Sequence, residues 1–331
     1  MTKADKSILV TGAGGFLGHH MANYLASSGY EVIGMDVHFP AVAVDGQPRL
    51  FTVIEEDFRN WEITRKLLAK SSAVYHFASA HLQISLEEKE YWDINVHSLR
   101  TLAEEVHKAG CERFNQIRTV GTYGKLAQVP ANEETPCQPQ SIYGETKLAG
   151  EKEVTAVCQK SGLPYVILRP AWIYGPGCPR TAKLARMLKK GSFIMIGKGA
   201  NKRHPMYIKD MLTAFHKALT SEKALGATMI IGGGEIITTR ELVDTFAKAM
   251  QFPRPKLSLP YPIAKLMAMT AETLFALIGK EPPVSRRTLE FFDTDNGFDI
   301  SRSKSLLDFT PAYTFQQGMV DYAADNATTS P

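Results

Sequence analysis

A chain of 331 residues with 44% hydrophobic residues exceeds the usual size of one domain and can bury an ample core, so two globular parts are expected. Its 38 Lys+Arg against 34 Asp+Glu leave a net charge of +4, dispersed apart from short runs such as Lys189-Lys190 and Arg286-Arg287, which argues against a nucleic-acid footprint. Cys111, Cys137, Cys158 and Cys178 form no C-x-x-C pair, and no apolar cleavable segment precedes Ile8, so a reducing cytoplasm is the expected compartment and no metal is expected.

Short apolar runs rich in β-formers then alternate with helical periodicity. Strands are predicted over residues 8–11, 31–35, 50–54, 73–76, 113–118 and 165–169, and helices over 16–28, 61–69, 88–109 and 143–161. This β-α-β alternation implies a parallel sheet covered on both faces, with a ligand at the carboxyl ends of the strands. After Pro170 the pattern changes: proline and glycine cluster in RPAWIYGPGCPR, and FIMIGKG, MIIGGGE and a helix from Pro262 to Ile278 form a shorter α/β portion. The expected fold is therefore α/β, a Rossmann-type doubly wound parallel sheet over residues 1–170. A smaller C-terminal α/β substrate portion over 171–331 follows, partly interleaved with the first. The longest apolar stretch, LPYPIAKLMAMTAETLFALIG, carries two prolines, Lys265 and Glu272, and falls short of an uninterrupted membrane span.

Four glycines in seven residues stand where the first apolar run ends, in TGAGGFLG. Gly12, Gly15 and Gly18 have the spacing G-x-x-G-x-x-G. One glycine permits the turn, one lets the backbone approach phosphate, and one allows helix to pack on strand. Asp36 ends the next strand, 18 residues beyond Gly18. A carboxylate there accepts both hydroxyls of an adenosine ribose and repels a 2′-phosphate, which favours NAD over NADP.

A second motif, SIYGETKLAGEK, sets Tyr143 and Lys147 at i, i+4, on one helix face. Thr119 lies 24 residues earlier, where IRTVGTYG runs off a strand that a parallel sheet would bring beside the helix start. A tyrosine with a pKa of about 10 is a poor base at neutral pH, and a neighbouring ammonium lowers that value. Thr119 would orient the reacting oxygen. His19, His20, His97 and His204 show no metal-ligand grouping and read as structural.

The ordered set of TGAGGFLG, Asp36, VYHFASA, Asn95, TYG at Thr122, YGETK and LRPAWIYGPG resembles the extended short-chain dehydrogenase/reductase superfamily, in its NAD-dependent epimerase/dehydratase branch. The resemblance implies an NAD-dependent enzyme. It assigns Gly12, Gly15, Phe16, Leu17 and Gly18 to the pyrophosphate, Asp36 to the ribose, and Asp57 and Phe58 to the adenine end. It places Phe77, Ala78 and Ser79 near the pyrophosphate and inner ribose, adds Asn95 and Pro170 to the cofactor site, and matches Thr119, Tyr143 and Lys147 to the catalytic set. Relatives that eliminate water or carbon dioxide carry carboxylates where Val120 and Gly121 stand here. Reversible hydride transfer at a secondary alcohol is what remains.

For the substrate, Arg203 stands seven residues before Asp210, where nucleotide-sugar members carry an arginine on the diphosphate; Thr119 and Tyr174 complete the expected substrate contacts. The segment EPPVSRRTLEFFDTDNGFDISRSKSLLDFTP also resembles 3β-hydroxysteroid dehydrogenase relatives, so a sterol or lipid alcohol stays open as the alternative. The apolar helix before it would then line a pocket or lie on a membrane surface. A non-catalytic dinucleotide-binding regulator is the third possibility. The expected partner is a small molecule, in a homodimer.

Overall fold

The computed structural model describes residues 7–80, 86–277 and 286–329. The first half of the chain runs β1 (Ser7–Thr11), α1 (Phe16–Ser27), β2 (Val32–Asp36), β3 (Thr52–Glu55), α2 (Trp61–Leu68), β4 (Ser71–His76), α3 (Glu88–Trp92), α4 (Ser98–Lys108), β5 (Arg113–Ile117), α5 (Ile142–Ser161) and β6 (Tyr165–Pro170). The second half adds β7 (Trp172–Tyr174), α6 (Pro179–Lys189), β8 (Met195–Ile196), β9 (Lys202–Arg203), β10 (Pro205–Tyr207), α7 (Ile208–Thr220) and β11 (Thr228–Ile231). It closes with β12 (Ile237–Thr238), α8 (Thr239–Ala249), β13 (Ser258–Leu259), α9 (Tyr261–Leu277), α10 (Arg286–Asp293), α11 (Ser301–Leu307) and α12 (Phe315–Thr329).

Seven strands form one parallel sheet in the order β11-β6-β5-β4-β1-β2-β3. The order reverses direction between β1 and β4, which opens a crevice at their carboxyl ends. Alternate residues of β1 feed the two faces: Ile8 and Val10 pack with Met21, Leu25, Tyr75 and Phe215, while Leu9 packs with Ile33, Val74, Leu102 and Phe114. The sheet is thus largely apolar on both sides at its centre, and β1, β2 and β6 read as mostly apolar runs, whereas β5 (RFNQI) buries polar side chains and β3 (TVIE) is largely exposed.

The edge strand β11 and the helix α7 come from beyond residue 170. The β5 residue Arg113 donates from Nη1 to the carbonyls of Ala218 (3.3 Å) and Ser221 (2.9 Å), capping the C-terminus of α7. The Tyr75 hydroxyl donates to Phe215 O on the same helix at 2.5 Å.

The helix predicted over 88–109 is two α-helices joined by a π-turn at Asp93–His97. The turn lets Asn95 face inward: its Oδ1 accepts from Ala80 N (3.0 Å), and its Nδ2 donates to Ala80 O (3.3 Å) and Thr146 Oγ1 (3.1 Å). It also brings Asn95 O against α5, where a Cβ on Gly150 would come within 1.9 Å. The other predicted boundaries shift by one or two residues. The predicted helix end at Ile278 and the residues EPPVS that follow Lys280 lie outside the described residues. No helix among the described residues is long and apolar enough to cross a membrane.

Candidate active site

At Gly12, Gly14 and Gly18 the turn from β1 into α1 has room for nothing larger than glycine. Gly12 has φ +78°, and a Cβ on it would meet Ala78 N at 2.5 Å; one on Gly18 would meet Gly12 O at 2.0 Å. Gly15 caps α1 with extended backbone and no side-chain cap, so the first N–H groups of the helix, on Phe16 and Leu17 among others, are left for an anion. At the end of β2, Asp36 Oδ2 accepts the Gly14 N–H at 2.9 Å. Burial pushes the Asp36 carboxyl above its ordinary value, against backbone N–H groups of Gly14, Val37, His38 and Gly15. Gly14 escaped the motif count, although a Cβ there would lie 2.1 Å from His38 O and 3.2 Å from the Asp36 carboxylate. The signal was present as a fourth glycine in the same seven residues. A glycine cradle, bare helix N–H groups and a carboxylate beyond them are the donor and acceptor set that a dinucleotide requires, and the residues fit NAD.

The neighbouring residues divide into those at this crevice and those held elsewhere. Phe77 and Ala78 continue β4 beside Gly12, with Phe77 N donating to Thr11 O at 2.9 Å. Asp57 is engaged by Arg59 through Nε (3.0 Å) and Nη2 (2.6 Å); burial works against it, but Arg59 holds its carboxyl below the ordinary value. The Phe58 ring lies in the core, edge-on to His76 at 5.2 Å, leaving backbone and Asp57 to face a ligand. Asn95 spends its amide on Ala80 and Thr146, and so shapes the crevice from behind. Pro170 ends β6, buried opposite Ile231. Tyr174 is not brought to the crevice. Its ring packs against Tyr207 and Phe315, and its hydroxyl donates to Phe315 O at 3.4 Å.

The Tyr-Lys pair occupies the first two turns of α5, which starts with Ser141 Oγ accepting the Gly144 N–H at 3.2 Å. Lys147 Nζ lies 5.7 Å from the centre of the Tyr143 ring, and the lysine is 3% exposed. Burial, then the charge of Arg118, pushes the lysine well below its ordinary value. Burial pushes the Tyr143 phenol up, opposed by Arg118, by Arg180 and by a hydrogen bond with Ser79. Thr119 Oγ1 accepts the Gly121 N–H at 3.0 Å, which leaves its hydrogen to donate outward. Arg118 was missed in the sequence because an arginine at a strand end carries no sign of being buried.

Arg203 lies on β9, paired antiparallel with β12, and is 4% exposed. Its guanidinium carbon sits 4.3 Å over the Phe291 ring, while Nε and Nη2 are buried without a hydrogen-bond partner. Burial lowers its pKa to about 10. His204 is structural: Phe298 N–H donates to Nδ1 at 3.2 Å, so Nε2–H donates to Gly233 O at 2.8 Å.

Known proteins are similar to this chain over nearly its whole length. UDP-glucose 4-epimerase of Vibrio cholerae is 27% identical over 323 residues, covering 96% of this chain and 94% of that protein. The 3beta-hydroxysteroid-dehydrogenase/decarboxylase isoform 1 of Arabidopsis thaliana is 24% identical over 352 residues, covering 96% and 79%. The solved structure of UDP-glucuronic acid 4-epimerase from Bacillus cereus in complex with NAD matches with a TM-score of 0.77 and 25% identity, over 97% of this chain and 99% of that one. The model of the NAD dependent epimerase/dehydratase family matches residues 8–232, and the chain belongs to that family, as an NAD-dependent enzyme of the extended short-chain dehydrogenase/reductase type.

Proposed function

We propose that the protein catalyses reversible hydride transfer at a secondary alcohol of a nucleotide sugar, as a 4-epimerase or keto-reductase. The observation that carries the substrate is Arg203. A buried guanidinium with two idle donors is costly unless an anion meets it, and a diphosphate offers acceptors that match its planar fork. The names of the relatives, UDP-sugar 4-epimerases among them, agree with that chemistry.

In this assignment the N–H groups at Gly15 to Gly18 hold the pyrophosphate, and the Asp36 carboxylate accepts the adenosine ribose hydroxyls. Bound NAD supplies the hydride acceptor. Tyr143 takes the proton of the substrate hydroxyl as the carbon–hydrogen bond breaks, Thr119 donates to the same oxygen and orients it, and Lys147 donates to the inner ribose. With Val120 and Gly121 at the two positions where dehydratase and decarboxylase relatives carry carboxylates, the base those reactions use is missing there, which favours redox or its reversal on the opposite face.

A second assignment, a sterol or lipid alcohol, is favoured by α9. Only Ala264 and Ala268 of its first two turns are buried, while Ile263, Leu266, Met267 and Met269 are exposed, an apolar face suited to a bulky apolar ligand or a membrane surface. Calorimetric titration of UDP, GDP and dTDP into the NAD-loaded protein separates the two. The nucleotide-sugar assignment expects binding that Arg203→Ala weakens roughly ten- to a hundred-fold, the worth of a charge-assisted hydrogen bond. Failure of all three to bind the unaltered protein in the millimolar range refutes it.

A further inference from the structure

Arg118 follows β5 and is 4% exposed. With the Gln116 amide oxygen turned toward it, its Nε and Nη2 donate to that oxygen at 3.0 and 2.8 Å. Nη2 also lies against α5, since a Cβ on Gly150 would come within 2.7 Å of it. Gly150 is one turn beyond Lys147 and two beyond Tyr143, on the same face of α5, so the guanidinium lies along the face that carries the pair. Arg118 forms no ion pair among the described residues. Glu151, which acts on it electrostatically, is already held by Arg169 through Nε and Nη2. A buried cation hydrogen-bonded to an amide, with Glu151 and Tyr143 acting on it only through their fields, costs desolvation energy that these do not fully offset.

We propose that Arg118 is a positioning residue for the proton step at Tyr143: a fixed cation against the Tyr143–Lys147 face of α5 that supports the phenolate and leaves Lys147 to act as a hydrogen-bond donor. The proposal rests on Tyr143 being the acid/base, as assigned above. The charged and hydrogen-bonding groups facing Tyr143 come from four elements: Arg118 after β5, Arg180 on α6, Ser79 after β4 and Lys147 on α5 itself. Around Arg118 stand Glu151, Tyr143 and Arg169, with Lys147 and His76 also within its field. Between Lys147 and Arg118, burial strips charge more readily from the ammonium, because burial and Arg118 both push Lys147 downward. Burial brings Arg118 only to about 10, so it remains charged at neutral pH.

The ionisation of Tyr143 is readable without a substrate, by NMR of the NAD-loaded protein carrying tyrosine labelled with 13C at Cζ, with Tyr143→Phe identifying the signal. Arg118→Met should raise the Tyr143 midpoint by about one pH unit or more, the scale of a nearby charge, and Arg118→Lys should return it. The acidic limb of the turnover profile for alcohol oxidation should move upward with it. Gln116→Glu sets a carboxylate against the guanidinium and should raise the midpoint too, so the test survives an Arg118→Met protein that does not fold. A midpoint unmoved in a folded Arg118→Met or Gln116→Glu protein overturns the proposal, and so does a shift that Arg118→Lys fails to reverse. Retained turnover in Tyr143→Phe would instead refute the acid/base assignment, a separate failure.

Discussion

Arg169 and Arg203 are both arginines shut away from solvent, and they are held in opposite ways. Arg169 is fully met: Nε donates to Glu151 Oε2 at 3.0 Å, Nη2 to Glu151 Oε1, and Nη1 to the Tyr123 hydroxyl at 2.6 Å. Burial works against its charge, but Glu151 and Tyr123 hold it above the ordinary arginine value. Arg203 has the face of Phe291 and two idle nitrogens, and burial draws it down. The same residue type at similar burial therefore serves two ends. Where the protein supplies an acceptor to each nitrogen the guanidinium ties β6 to α5; where it withholds them, among the described residues, two nitrogens stay unmet.

The sharpest way to break this contrast is to remove the acceptor at the satisfied site. Glu151→Ala leaves Arg169 buried and unpaired, and should cost about 3–5 kcal/mol of stability, measured by urea unfolding. A loss below 1 kcal/mol would mean that Arg169 is no better met than Arg203. Tyr143→Phe removes only a hydroxyl at the functional end. It should lower turnover on the nucleotide sugar by roughly 100-fold or more while NAD still binds, as isothermal calorimetry would report.

At the unsatisfied site the effects should be smaller and reversed in kind. Arg203→Leu should leave unfolding stability unchanged or raised, because it removes a buried charge with no partner to orphan, while nucleoside diphosphate affinity falls. A clear loss of stability would place Arg203 with Arg169 as a structural residue. The smallest expected effect concerns Asp36. Ribose hydroxyls that donate to its carboxylate favour the ionised form and lower its raised pKa, so binding releases a proton wherever the free carboxyl is partly protonated. NAD affinity should then rise with pH just above the ordinary carboxylate range and level off toward neutrality. Asp36→Asn should abolish that rise and narrow the preference over NADP; equal affinities for NAD and NADP in the unaltered protein would sink the assignment.

Strands such as β1, β2 and β6 were legible because a sheet buried on both faces demands mostly apolar runs. TGAGGFLG was legible for a steric reason at three of its four glycines: at Gly12, Gly14 and Gly18 no other residue type survives contacts of 2.0 to 2.5 Å. The surroundings of Tyr174 were not legible. An aromatic at a strand end looks the same in sequence whether it faces a crevice or, as here, the underside of α12. Arg118 and Arg203 look alike as well, each a basic residue beside a strand, and burial distinguishes them from the solvated arginines only after folding.

By itself the sequence determined the alternation of elements, the glycine turn, the carboxylate at the end of the second strand and the Tyr-x-x-x-Lys face, since each follows from periodicity or from a steric demand within a few residues. Only the tertiary structure decided that Thr228–Ile231 joins the central sheet, that a π-turn aims Asn95 at Ala80 and Thr146, and which arginines have partners. Those depend on what lies opposite a residue across the fold, at separations of 15 to 60 positions and more, and local pattern carries no record of that.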